Sequence, residues 1–298
     1  MFLGSFTTMA DVNPDKGHRV FWITVIATLM TCDSAVFSIV AGYLVDSVGF
    51  PAPLGLCAGL AALSCLVAIF LFPETCPMPA KKEINLLGNV KRISGFFFTQ
   101  GTTKKKVTLF IGLWIFFFVT IALLSLAKVD ALYQMNKPFC WSSLSIALYS
   151  GTKMSGQLLI GLLLLKHLQK HISEELIILL ASVSQAGSYV MEAFVGTDWQ
   201  FSLVAVIGIL GSTAPAIARG IMSSLAGPHD QGAILSSVAI VEVLCMTSSN
   251  FSLLTMYSST VSTWPGAVYL LMAAFSSVGT CLIIVFMMVS RGENRETP

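Results

Sequence analysis

Four ionisable residues stand inside or at the edge of stretches that are otherwise apolar: Asp33 in TCDSAV, Lys153 in YSGTKMSGQ, Arg219 closing VIGILGSTAPAIAR, and Glu242 in SSVAIVEVLCM. A charge placed in hydrocarbon costs at least ~2.5–3.5 kcal/mol on insertion scales, so such groups usually face a helix-bundle interior or a water-lined cavity. A carboxylate there can hold a proton or a cation, and a lysine or arginine can balance an anion. Each also has a plainer reading. Asp33 equally reads as a hydrogen bond to a neighbouring helix. Lys153 can attract an anionic solute, pair with an acid such as Asp33, or snorkel outward. Glu242 reads as a cavity-facing group or as a protonated, hydrogen-bonded carboxyl. Arg219, by position alone, is a snorkelling arginine at a membrane edge. Glu192 and Asp198 lie near the end of an apolar run and are expected to be solvated.

No nucleophile elbow, phosphate loop or basic nucleic-acid surface accompanies these groups, so the sequence points away from an enzyme and a nucleic-acid partner. His167 and His171 have i,i+4 spacing but lack a third ligand, so no metal is expected, nor a cofactor. Most of the 7 cysteines lie in apolar runs and read as small buried hydrophobes.

The elements that must position these residues are membrane helices. The 298 residues are 55% hydrophobic and only 11% charged, with a mean hydropathy of +0.81, whereas soluble chains carry about 25% charged residues. A spanning helix needs about 20 apolar residues. Eight stretches qualify: Val20–Val45, Ala52–Phe72, Val107–Ala127, Leu144–Leu165, Glu175–Phe194, Phe201–Ala218, Ala233–Tyr257 and Pro265–Ser290. They are too long and too uniformly apolar for barrel strands, so an all-α polytopic membrane protein is expected, with the lipid bilayer as its solvent. In an eight-span layout every one of the 17 basic residues except Lys128, Lys137 and Lys153 falls on one side. The positive-inside rule makes that side cytosolic, and with it both ends of the chain. NFS at Asn250 matches a glycosylation sequon but lies within a span and is rejected. The basic stretch 73–106 separates two spans (1–72) from six (107–290), with a short tail at 291–298. A six-span block after a long basic loop is the arrangement of a major facilitator-type bundle, whose two six-helix halves flank a central cavity.

Several strings carry a closer likeness. ALYQMNKPFCWSSLSIALYSG (Ala131–Gly151), with Tyr133, Pro138, Cys140 and Trp141, resembles the outer loop and following helix of solute carrier family 46, which contains the proton-coupled folate transporter. DQGAILSSVAIVE (Asp230–Glu242), MYSSTVSTWPG (Met256–Gly266), SFTTMADV (Ser5–Val12) and FPETC are similar to its segments in the same order. The resemblance implies that the eight spans correspond to helices five to twelve of a twelve-helix transporter, with about the first four absent. It implies a role in substrate or proton binding for Arg219, and a free outer thiol for Cys140, whose family partner lies in the first outer loop. It also marks departures. The place of the folate member's proton-coupling glutamate falls near Ile26 or Ala27, and that of a family histidine near Leu123; Asp33 lies one or two turns from the former.

The expected function is secondary active transport of an organic anion, a cargo class the resemblance implies, with H+ as the coupling ion and alternating access as the mechanism. Arg219, Lys153, Glu242 and Asp33 are the expected solute or proton path. Gly227, Pro228, Asp230, Gln231 and Gly232 form the cytosolic hinge. The rival expectation is a transport-inactive isoform or a regulatory partner of a full-length transporter. Self-association and residence in the plasma or an endolysosomal membrane are compatible with either.

Overall fold

The computed structural model describes residues 16–71, 103–225 and 231–296, and every regular element among them is helical. Two helices come first, α1 (Lys16–Val48) and α2 (Pro51–Leu71). The second block holds α3 (Thr103–Met135), α4 (Ser143–Leu168), α5 (Glu174–Ala193), α6 (Asp198–Ile207), a 3-10 turn (Gly211–Thr213), α7 (Ala214–Leu225), α8 (Gln231–Thr260) and α9 (Ala267–Glu296). The hinge residues Gly227, Pro228 and Asp230 lie outside the described residues; Gln231 and Gly232 open α8.

Local chemistry sets the helix ends. Ser142 caps α4 by accepting from the Ser145 amide at 3.2 Å. At the start of α6 the Gln200 side chain reaches back to the Thr197 amide at 3.2 Å. Glu174 and Glu175 occupy the first turn of α5, where the positive end of the helix dipole favours acids.

Lys106–Met135, Glu174–Ala193, Ile234–Thr260 and Ala267–Val289 are each long and apolar enough to cross a membrane. Large apolar side chains on the helices, among them Phe70, Phe251 and Met288, are exposed, as expected of helices with an apolar surrounding. Two expectations change. The helix expected to stop at Ala127 runs on to Met135, because the polar residues that end the apolar run, Lys128 and Asp130, find partners on neighbouring helices. The single span expected over Phe201–Ala218 is broken, with α6 and the following segment bent by 52°. Pro215 has no amide hydrogen and its ring would strike the carbonyl four residues back in a continuous helix; in the first turn of a new helix it is tolerated. Gly211 lets the bend sit tight, since a Cβ there would lie 2.8 Å from the Gln185 Cβ and 2.9 Å from its Cα. Carbonyls near the break are not left bare: Gln157 Nε2 donates to Ala205 O at 2.9 Å, and Ser184 Oγ to Ile207 O at 2.5 Å.

α3 packs between α8 and α9, α9 also lies along α5, and α1 runs against α4 and α7. The core divides in two layers. One, around Phe116, Ile177, Ile217, Met222 and Ile234, sits toward the end where α3 begins. The other, around Tyr133, Tyr189, Phe201, Leu253 and Tyr269, sits toward the end where α3 finishes. We call these the basic end and the far end.

Candidate functional site

Among the described residues two ionic clusters join helices, one in each layer. The far-end cluster centres on Lys153, with a side chain only 4% exposed. Its Nζ donates to Asp130 Oδ2 at 3.1 Å and to Glu192 Oε1 at 2.8 Å, with both carboxylates equally hidden. Tyr269 Oη donates to Asp130 Oδ1 at 2.9 Å. Helix polarity explains the meeting. Side chains tilt toward the N-terminus of their own helix. α3 and α5 run toward the far end, so Asp130 and Glu192 lean back into the bundle. α4 runs the other way, so the long stem of Lys153 reaches up to them.

The ammonium also sits 5.6 Å from the centre of the Tyr149 ring. Tyr149 and Tyr133 spend their hydroxyls on backbone, donating to Phe201 O at 3.1 Å and Val195 O at 3.0 Å. Lys153 and Tyr149 further line a cleft of about 250 Å³ between α4 and α6, whose wall includes Gly156, Gln157, Ser202 and Ala205. Lys153 is thus shared between two buried acids and an open cleft.

The second cluster lies toward the basic end. Arg219 Nη2 donates to Glu242 Oε2 at 2.8 Å, and the guanidinium lies 5.4 Å from the centre of the Phe116 ring. The same polarity argument applies: α7 and α8 are antiparallel, so the two side chains lean toward each other. Of the four residues singled out by sequence, the structure therefore joins Arg219 to Glu242 and sets Lys153 in a separate network. Asp33 is exposed on α1, and Lys153 is engaged by Asp130 and Glu192 instead. Glu192 is not solvated but fully buried, while Asp198 is exposed and accepts from Trp141 Nε1 at 3.1 Å. Cys140 is exposed in the turn after α3 and carries a free thiol. Asn250 lies on α8 and accepts from Lys128 Nζ at 2.6 Å.

Sequence reading missed Asp130, Glu192 and Tyr269. A signal was present: a lysine this deep in a span needs a carboxylate, and Asp130 and Glu192 sit near the far ends of the two helices that flank α4 in sequence.

A profile of the Major Facilitator Superfamily matches residues 1–248. The chain belongs to the major facilitator superfamily. Within the superfamily it is similar to members of solute carrier family 46. It is 24% identical over 291 residues to the lysosomal proton-coupled steroid conjugate and bile acid symporter of Gallus gallus, covering 94% of this chain and 60% of that protein. It is also 24% identical over 291 residues to the proton-coupled folate transporter of Rattus norvegicus, covering 97% of this chain and 63% of that protein. The Mus musculus steroid conjugate and bile acid symporter is 23% identical, with 90% of this chain and 59% of that protein covered. The chain thus spans about three fifths of the length of these relatives.

Proposed function

We propose that this chain is the helix-five-to-twelve portion of a secondary active symporter that moves an anionic organic solute together with H+ by alternating access. One observation carries the reading: a buried lysine forms part of the wall of an open cleft inside a facilitator-type bundle. A fixed cation in a low-dielectric wall favours a carboxylate, sulfate or sulfonate over a neutral solute. The named activities of the relatives support the same cargo class and the same coupling ion.

On this reading Arg219 and Glu242 form a latch at the basic end. Residues 107–290 are one moving half, 1–72 belong to the other, 73–106 link them across the cytosolic face and 291–298 form a tail. Gly227, Pro228, Asp230, Gln231 and Gly232 serve in this reading as the hinge about which α7 and α8 rock. The basic end is cytosolic, and the membrane is the plasma membrane or an endolysosomal one.

The test is uptake of labelled taurocholate and of labelled folate into proteoliposomes holding the purified chain, with and without an inward proton gradient. We expect gradient-driven uptake of at least one, abolished by Lys153→Met. Uptake indifferent to the gradient, or to Lys153, overturns the reading.

A further inference from the structure

The far-end network is unbalanced. Two carboxylates, Asp130 and Glu192, face one ammonium, Lys153, which leaves one negative charge in excess if both acids are ionised. Asp130 is 2% exposed and Glu192 0%, so water cannot screen it. A buried charge without a partner is relieved by neutralising the group. No described cation stands near enough to do so. The charged groups facing Glu192 are Asp130 on α3 and Lys153 on α4. The other titratable neighbours are the phenols of Tyr133, Tyr149, Tyr189 and Tyr269. On the helices packed against α5, Asp198 of α6 is exposed and held by Trp141, and Arg219 of α7 lies in the other cluster with Glu242.

A second observation points the same way. Glu192 Oε2 is buried and accepts no hydrogen bond among the described residues. An unpartnered buried carboxyl oxygen costs more on an ionised group than on a neutral one. Gln134, one turn beyond Asp130 on the same helix face, is fully buried with both amide atoms likewise unpartnered.

We propose that Asp130, Lys153 and Glu192 form a proton–anion exchange switch. In the state described here the two carboxyl groups hold one proton between them, and Lys153 neutralises the remaining charge. Lys153 also walls the cleft. An anionic group entering there competes with the carboxylates for the ammonium. As Lys153 turns to the solute, the carboxyl pair loses its counter-charge and takes a second proton from solvent. One anion and one proton enter together, and the balance of charge inside the bundle is unchanged. By linkage, a proton taken up by the pair in turn frees Lys153 and tightens anion binding by the same factor. The exchange rests on the symport reading above, whereas the resting proton does not.

The experiment is infrared difference spectroscopy of the purified full chain near neutral pH, reading the carbonyl stretch of protonated carboxyl groups. We expect one such group to be assigned to the network in the unsubstituted protein. Asp130→Asn and Glu192→Gln should each abolish that band, because either leaves a neutral pair with Lys153. Lys153→Met should add a second band, and Lys153→Arg should restore the single one. No band removed by Asp130→Asn or Glu192→Gln overturns the proposal, even if Lys153→Met fails to fold. A folded Lys153→Met protein without a second band overturns it too. Taurocholate that is transported should raise the band in the unsubstituted protein. Transport without that rise overturns the exchange step. Failure of all solute uptake with the band pattern intact overturns the symport reading and leaves the resting proton standing.

Discussion

Lys153 and Arg219 are both cations inside a membrane bundle, yet their surroundings differ in a way that separates their roles. Arg219 is paired with Glu242 near the basic end. Lys153 is paired with two acids. The proposal therefore moves the coupled proton from Glu242, where the sequence places it, to the Asp130–Glu192 pair. Two outcomes follow for initial uptake rates measured against external pH at matched protein level. Asp130→Asn combined with Glu192→Gln flattens the pH dependence, because no carboxyl beside Lys153 is left to take the coupled proton. Glu242→Gln lowers the rate but keeps the pH dependence, and the exchanged pair Arg219→Glu with Glu242→Arg recovers part of the loss. A pH profile flattened by Glu242→Gln alone would return the proton site to the basic end. Lys153 itself was legible from sequence, since a lone charge in the middle of an apolar stretch is conspicuous. Asp130 was not, because the apolar run of α3 stops at Ala127 while the helix continues to Met135. Glu192 lies within two residues of its helix end, and position in sequence cannot show that neighbouring helices cover it.

At the scale of elements, the broken α6–α7 segment separates what hydropathy sees from what the backbone does. Phe201–Ala218 is uncharged and mostly apolar, so a window average reads one straight span. The break is encoded in Gly208, Gly211 and Pro215, which hydropathy hardly weighs. Its tightest point is testable. Gly211→Val forces a branched side chain against the backbone of Gln185, and overpacking of this kind costs roughly 1–3 kcal/mol. We expect a lower melting temperature in detergent than for Ser212→Val at the neighbouring position. Equal melting temperatures would show that the bend relaxes freely. The remaining helices were largely readable, α2, α4 and α5 to within a few residues, because each is one apolar run bounded by polar turns.

At the scale of the whole molecule, α1 meets the six-helix block along α4. A Cβ on Gly42 would lie 2.8 Å from the Ala147 Cβ and 3.1 Å from Ser143 O, and Asp46 Oδ2 accepts from the Leu144 amide at 2.9 Å. Gly42→Leu is expected to pry α1 from α4 and to abolish uptake. It should leave the infrared signature of the Lys153 network in place, since Asp130, Lys153 and Glu192 all belong to the other block. Loss of that signature would mean that the two blocks fold as one unit. Orientation is tested at the same scale. Cys140 is exposed at the far end, so a membrane-impermeant maleimide should label it from the side opposite the chain ends. Cys140→Ser should remove the label. Labelling of Cys140 from the cytosolic side would invert the topology.

The aromatic packing at the far end has an optical consequence. Trp22, Trp114, Trp199 and Trp264 are exposed, whereas Trp141 is half-buried. Its ring lies 5.2 Å from Phe201 and 5.5 Å from Tyr149, and its indole hydrogen is held by Asp198. Tyr149 is the ring beside the Lys153 ammonium. When Lys153 moves, the field and the packing felt by this indole move with it. The protein thus carries a built-in fluorophore one ring away from its charge switch. Emission of a variant that keeps Trp141 and replaces the other tryptophans with phenylalanine would report turnover in real time, without an attached dye.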